Sequence, residues 1–302
     1  MKYAVAVDIG GTNTRVALID EDYNIKDKTV FRTSVNDPYI TLKALSDKIL
    51  SYEEELCGAA LSCPGPLDLL GGKVLTPPNL KGAWHNLDIA KVLSEMINIP
   101  VFLQNDANLA ALAEANLGSG RGHRVVQYLT VSTGIGAGFV VDGKLFLGAH
   151  GFANEVANTI MIENGPTHGL ILPGGIEAIS SGTAIELRAR RLGIKCDNAG
   201  DVYTLAMQGD KNAREVISDA ENYLANLIAG IIGYSDPDIV ILGGSVALKI
   251  PTFVSDVEYL VKKKVYSVVK PYVKLRKAVL GDDSGLMGAA YLVFNKQENL
   301  WQ

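Results

Sequence analysis

Three short stretches of this 302-residue chain carry side chains able to do chemistry. They are Asp8-Ile9-Gly10-Gly11-Thr12-Asn13-Thr14, Ser132-Thr133-Gly134-Ile135-Gly136, and Asn105-Asp106. The first two read as turns of small residues joining apolar strands. Such turns expose backbone N–H groups in a concave nest that favours anions. Thr12, Thr14, Ser132 and Thr133 add hydroxyl donors. Asp8 ends the first strand, where a carboxylate can hold Mg²⁺ through water, because Mg²⁺ keeps much of its hydration shell. Two nests facing across a cleft would clamp one polyphosphate. Each turn alone could also be a plain tight hairpin; the pair, with Asp8 beside one of them, favours phosphate binding. Asp106 follows the apolar run Val101-Phe102-Leu103, which places it at the C-terminal end of a strand. Open α/β sheets bind ligands there. Such a carboxylate either orients an attacking hydroxyl for phosphoryl transfer or caps the helix that follows.

The elements that must position these groups follow from apolar runs. Strands are expected over residues 3–7 and 15–20 around the first turn, and over 125–131 and 137–141 around the second. Asp142-Gly143 then makes a tight hairpin. Further strands are expected at 58–62, 101–103, 239–242 and 273–280. Helices are expected at 41–52, 87–96 (capped by Asn86), 107–115, 213–234, 253–268 and 286–297. Strand, Gly/Thr turn and strand open both halves, which reads as duplication of one α/β unit. The glycine-rich, polar stretch 118–122 marks the boundary. It gives a smaller N-terminal α/β domain over 1–117 and a larger C-terminal one over 118–288.

Familiar glycine motifs fail on context. A dinucleotide fingerprint must open a helix, yet the residues after Gly10-Gly11 read as a strand. Gly138 to Lys144 nearly fits a P-loop, but Leu145 follows and the stretch is a hairpin.

Composition narrows the partners. Hydrophobic residues are 48% and charged ones 20%, as in a globular chain. A net charge of −5 argues against nucleic acid. Three dispersed cysteines (Cys57, Cys63 and Cys196) exclude a disulfide framework and fit a reducing compartment. No signal-like or 20-residue apolar segment is read, so a cytoplasmic protein without a membrane partner is expected.

In order and spacing these segments resemble the ROK family (repressors, open reading frames and sugar kinases) of the actin/hexokinase/heat-shock-chaperone superfamily. Asp8-Ile9-Gly10-Gly11-Thr12-Asn13-Thr14-Arg15 resembles its first phosphate loop, and Thr130 to Gly138 its second. Leu103-Gln104-Asn105-Asp106-Ala107-Asn108 resembles its catalytic segment, and Leu242-Gly243-Gly244-Ser245 its adenosine-side turn. Gly281-Asp282-Asp283-Ser284-Gly285-Leu286-Met287-Gly288 resembles its C-terminal signature. The resemblance runs from Val5 to about Tyr291.

It implies an α/β fold of two RNase H-like (actin-like ATPase) domains with an interdomain active-site cleft. It also implies a C-terminal helix, about 289–302, packed back on the N-terminal domain. The chain opens at the first strand, as in the kinase branch. The implied activity is ATP- and Mg²⁺-dependent phosphorylation of the primary hydroxyl of glucose or a related sugar, with Asp106 as base. Asp8, Gly10, Gly11, Thr12, Thr14, Thr133, Gly134, Gly136, Gly243 and Gly244 would serve the nucleotide, with Asp8 holding Mg²⁺ through water. Asn105, Glu155, Glu177 and Asn158 would bind the sugar, with Gly65 and Asn79 lining its pocket. A homodimer is the family expectation.

The family's zinc motif is broken. Its three cysteine positions hold His168, Leu170 and Gly175, and its histidine position holds Asn158. A zinc site needs four donors, so no zinc is expected, and His168 reads as a surface loop residue. Loss of that histidine points towards sugars other than free glucose, such as β-glucosides or N-acetylmannosamine. Val74 to Gly82 instead looks glucokinase-like. A non-catalytic sugar sensor on the same fold is the competing class.

Overall fold

Strand Tyr3–Ile9 is apolar at nearly every position and is buried along most of its length. Such a strand must have both faces covered. It lies at the centre of a sheet ordered Ile25–Arg32, Asn13–Asp20, Tyr3–Ile9, Leu56–Ser62 and Val101–Gln104. The first two pairings are antiparallel and the last two parallel. The computed structural model describes residues 1–77 and 79–295. It divides into two compact units. The first comprises Met1–Ala113, Lys144–Ala153 and the chain from Asp282 onward; the second comprises Glu114–Gly143 and Asn154–Gly281.

The second unit repeats the plan. Strands Ile135–Val141, Val125–Val131, Ile239–Gly243 and Leu275–Lys277 are neighbours in that order, the first pair antiparallel and the others parallel. Each unit has its own core. Leu42, Leu45, Leu61, Trp84 and Leu93 fill the first. Leu129, Leu224, Ile228, Leu242 and Phe253 fill the second. Asp142 and Gly143 both take positive φ (51° and 75°), the geometry a two-residue hairpin turn requires.

Several boundaries shift for local reasons. The first helix starts at Pro38, not 41, because Asp37 caps it by accepting from the Tyr39 amide and proline suits the first turn. Asn86 does not cap the next helix. It sits in a turn at φ 58°, and the helix runs Ile89–Ile97. The helix expected to reach 268 ends at Lys262, ahead of Val265, Tyr266, Ser267, Val268 and Val269, whose β-branched, aromatic and hydroxyl side chains are weaker helix formers. The strand expected over 273–280 is only Leu275–Lys277. Strand Ile25–Arg32 carried no apolar run; it alternates half-buried and exposed, as an edge strand does.

The division falls inside helix Asp106–Asn116, ahead of the glycines at 118–122. Glu114 explains why those glycines belong to the second unit. Its side chain is fully buried, and its oxygens accept from the amides of Ser119 (3.0 Å), Val279 (2.8 Å) and Leu280 (2.8 Å). The C-terminal helix is Ser284–Phe294 and groups with the first unit, where Tyr23 stacks on Tyr291 and meets Phe294 edge-on. The rest of the helix expected to about 302 lies, from residue 296, outside the described residues. Among the described residues no helix is long and apolar enough to cross a membrane.

Candidate active site

The first glycine turn joins paired strands, with Ile9 opposite Thr14. The Gly10 amide donates to Asn13 O (2.9 Å) and closes it. Thr33 supports it from below. Its amide donates to Thr12 O (2.9 Å) and its hydroxyl to Gly10 O (2.7 Å). The Thr14 hydroxyl lies 2.9 Å from that of Thr33 and is fully buried. Thr14 was expected to face phosphate; its hydroxyl is instead committed beneath the turn, leaving exposed Thr12 and half-buried Gly10 and Gly11 at the surface. Asn79 comes up to the same turn, since a Cβ on Gly11 would lie 3.0 Å from the Asn79 Cβ.

Asp8 faces Arg15 across the strand pair. Its Oδ2 accepts from Arg15 Nε (2.9 Å) and Nη2 (2.6 Å). Arg15 also donates from Nη1 to Asp282 O (3.1 Å), and Asp283 pairs with Lys28. Reading by residue type assigned no role to Arg15, although its alternation opposite Asp8 was a usable signal. The Arg15 guanidinium holds one oxygen of this half-buried carboxylate by charge-assisted hydrogen bonds, and a carboxylate placed there suits a site for water-bound Mg²⁺.

Asn105 and Asp106 split the tasks that one residue alone left ambiguous. Asn105 is the cap of helix Asp106–Asn116: its Oδ1 accepts from the Asn108 amide (3.1 Å) and its carbonyl from Leu109 (3.0 Å). The Asp106 Oδ1 accepts from its neighbour's Ala107 amide (2.8 Å). Asp106 is reached by solvent, yet enough protein crowds its carboxyl that desolvation lifts its pKa above the usual aspartate range. The Ala107 amide opposes that rise and the Asp8 charge adds to it. Burial, and then the charges of Asp8 and Asp106, push the Cys63 thiol far up as well. The three side chains therefore share one electrostatic environment within the first unit, with Cys63 kept as a neutral thiol. Gly65 lies half-buried just beyond strand Leu56–Ser62.

The second glycine turn is held differently. Ser132 N donates to Gly134 O (2.9 Å), and Gly182 N to Ser132 O (2.6 Å). Glu177 Oε2 accepts from the Ile135 amide (2.7 Å). A Cβ on Gly134 would sit 2.6 Å from that oxygen, so glycine is what lets the carboxylate approach. Glu177 was expected to hold sugar; one of its oxygens is committed to the turn. Gly136 pairs with Thr130 inside the hairpin.

Gly243 and Gly244 also depart from expectation. Gly243 is buried, and a Cβ there would meet the Tyr128 hydroxyl at 2.3 Å. Gly244 has φ 84° and would meet Val131 O at 2.4 Å. Close packing explains both glycines, and it is the residues after them that face a ligand-sized space. A cavity of about 660 Å³ in the second unit is lined by Ser132, Thr133, Thr183, Asn198, Ser245 and Lys249, among others. Helices Gly182–Arg191 and Ala199–Met207 begin at its wall, capped by Ser181 and Asn198. Helix N-termini and a glycine turn in one wall favour an anionic ligand. Thr183, Asn198 and Lys249 were missed; the Ser-Gly-Thr helix start was the available signal.

Glu155 and Asn158 are both exposed in the second unit. Asn158 Oδ1 accepts from the Leu172 amide (2.8 Å), so it ties the loop that zinc would have held. His168 is half-buried, not a surface residue, and its Nε2 is buried without a partner. These residues do not fit zinc: one imidazole, an amide oxygen already engaged and no thiolate. Among the described residues no group of three or more His, Cys, Asp or Glu could hold a metal ion.

Comparison with known proteins gives the family. The sequence pattern of the ROK family matches residues 4–296. A glucokinase of Thermotoga maritima is 33% identical over 314 residues, covering 96% of each chain. An N-acetylmannosamine kinase of Shigella boydii serotype 18 is 34% identical over 292 residues, covering 95% of this chain and 97% of that one. The crystal structure of a ROK hexokinase from Thermus thermophilus superposes with a TM-score of 0.86 at 32% identity, covering 97% and 99%. The chain belongs to the ROK family. It is a sugar kinase with the two actin-like ATPase domains of that superfamily.

Proposed function

We propose that this chain is an ATP- and Mg²⁺-dependent hexose kinase that phosphorylates the primary hydroxyl of glucose or a closely related sugar. The observation that carries this reading is Asp106. Its helix is capped by Asn105, its pKa is raised, and Asp8 lies within electrostatic reach. Asp106 accepts the proton of the sugar's primary hydroxyl while that oxygen bonds to the γ-phosphorus. The bond from that phosphorus to the bridging oxygen breaks, and ADP leaves. A carboxylate of raised pKa is a stronger base than an ordinary one.

The second glycine turn, with Thr133, Gly134 and Gly136, and the 660 Å³ cavity beside it take the nucleotide. The first turn, through Gly10, Gly11 and Thr12, takes phosphate oxygens. Asp8 would hold Mg²⁺ through water, and the ion would neutralise phosphate charge. Asn105, Glu155 and Glu177 orient the sugar by accepting or donating hydroxyl hydrogen bonds, with Gly65 and Asn79 beside it. No zinc takes part.

A second reading, N-acetylmannosamine as substrate, is supported by the 34% identity to the N-acetylmannosamine kinase of Shigella boydii serotype 18.

A coupled ADP-release assay over glucose, mannose, fructose, allose, N-acetylmannosamine and β-glucosides tests both readings. Sugar-dependent ADP release with the highest kcat/KM for glucose supports the first, and for N-acetylmannosamine the second. Calorimetric sugar binding with no ADP from any sugar would make the chain a sensor. Stoichiometric zinc in the purified protein would refute the metal-free loop.

A further inference from the structure

Helix Lys211–Ser235 sends an apolar stripe into the core of the second unit, and one member of that stripe is a carboxylate. Glu221 is only 9% exposed and neighbours Ala220, Leu224 and Ala225 on the buried face. Burial, and then the charge of Asp256, push its pKa up to about 7. Glu114 shows what this protein does with a buried glutamate elsewhere: three backbone amides satisfy it. Glu221 has no such partner. Among the described residues its side chain makes no hydrogen bond or ion pair. An ionisable group taken from water without compensation is costly, so an unpartnered one that faces open space points to a missing counter-charge.

That space exists. Glu221 lines a cavity of about 160 Å³ together with Asp256, Tyr203, Ser218, Thr252 and Met207. The Tyr203 and Thr252 hydroxyls lie 2.9 Å apart at its wall. Arg214 also reaches the wall but is exposed and makes no ion pair among the described residues. We propose that Glu221 and Asp256 form a binding site for a small cation, an alkali-metal ion or a primary ammonium group, in the second unit.

The donor set decides the class. Two carboxylates and three hydroxyls offer oxygen only, and among the described residues no group of three or more His, Cys, Asp or Glu could hold a metal ion. Zinc and other transition metals prefer nitrogen and sulfur ligands. A singly charged ion balances the one or two negative charges of this pair, and Ala206, Met207 and Ile217 in the wall suit the methylenes beside an ammonium group.

Thermal unfolding of the full chain at pH 8, above the value of about 7 to which the Glu221 carboxyl is raised, tests the site without nucleotide or sugar. Its outcome is therefore independent of the kinase reading. Potassium, sodium and ethylammonium chlorides are titrated against choline chloride at constant ionic strength, for the wild type, Glu221→Gln and Asp256→Asn. A saturable rise in wild-type Tm of about 3 °C or more, with at least tenfold weaker apparent affinity in both variants, supports the site. A rise with potassium or sodium identifies an inorganic ion; a rise with ethylammonium alone identifies an organic amine. Equal responses in the wild type and both variants, or no response in the wild type, would overturn it. Glu221→Gln keeps the side-chain shape, and Asp256→Asn, at a less buried position, gives a second readout if Glu221→Gln fails to fold.

Discussion

The two glycine turns are built on one pattern and secured by different chemistry. Both join an antiparallel strand pair at the head of a sheet. The first carries an acid on its leading strand, Asp8, held by Arg15, and rests on the hydroxyls of Thr14 and Thr33. The second has no acid on its strands. It borrows the Glu177 carboxylate from a distant helix start and ties Ser132 to Gly182. The two turns thus share a backbone nest while their charge differs. The first turn keeps a carboxylate with a free oxygen, suited to a metal-bound phosphate. The second spends its carboxylate on an amide and leaves hydroxyls and helix N-termini for the nucleotide.

Between the two turns, the largest effect is expected at Asp8. Asp8→Asn should lower kcat/KM on the order of 10²-fold, in the range seen when one electrostatic contact is removed, and raise the Mg²⁺ concentration needed for half-maximal rate. The same variant should move the pH profile. With Asp106 as the proposed base, activity should be present above its pKa and lost as pH falls through it. With the Asp8 charge gone, that acid limb should shift to lower pH; an unmoved limb would separate the two carboxylates.

At the second turn, Glu177→Gln should raise the ATP KM about tenfold, because a charge-assisted hydrogen bond of about 1.5–3 kcal/mol to the Ile135 amide is weakened. A rise confined to the sugar KM would leave Glu177 to sugar binding alone and remove the contrast between the turns. The smallest effect is Thr33→Val, which should cost about 1 kcal/mol per lost hydrogen bond and lower Tm by a few degrees, with kcat nearly unchanged.

The sequence exposed the strands, the turns and the Asn105-Asp106 pair because each is written locally, in apolar runs and small residues. It could not assign tasks between neighbours. Asn105 caps and Asp106 does not, a division set by which oxygen meets the Asn108 amide. Glycines misled where backbone packing explains them as well as a ligand does: Gly243 accommodates Tyr128 and Gly244 accommodates Val131. Glu114, Thr33 and the Glu177–Ile135 bond depend on residues far apart in the chain, beyond any local pattern. The edge strand Ile25–Arg32 was hidden because one of its faces is wet.

The central claim is that Asp106 is the base for phosphoryl transfer. Calorimetry of sugar binding and single-turnover ADP formation, made on the same preparation of Asp106→Asn, test it together. The account predicts sugar affinity within a few-fold of wild type and a transfer rate reduced by about 10²–10⁴-fold, the contribution of a positioned base. Wild-type transfer in that variant, with sugar binding intact, would contradict it.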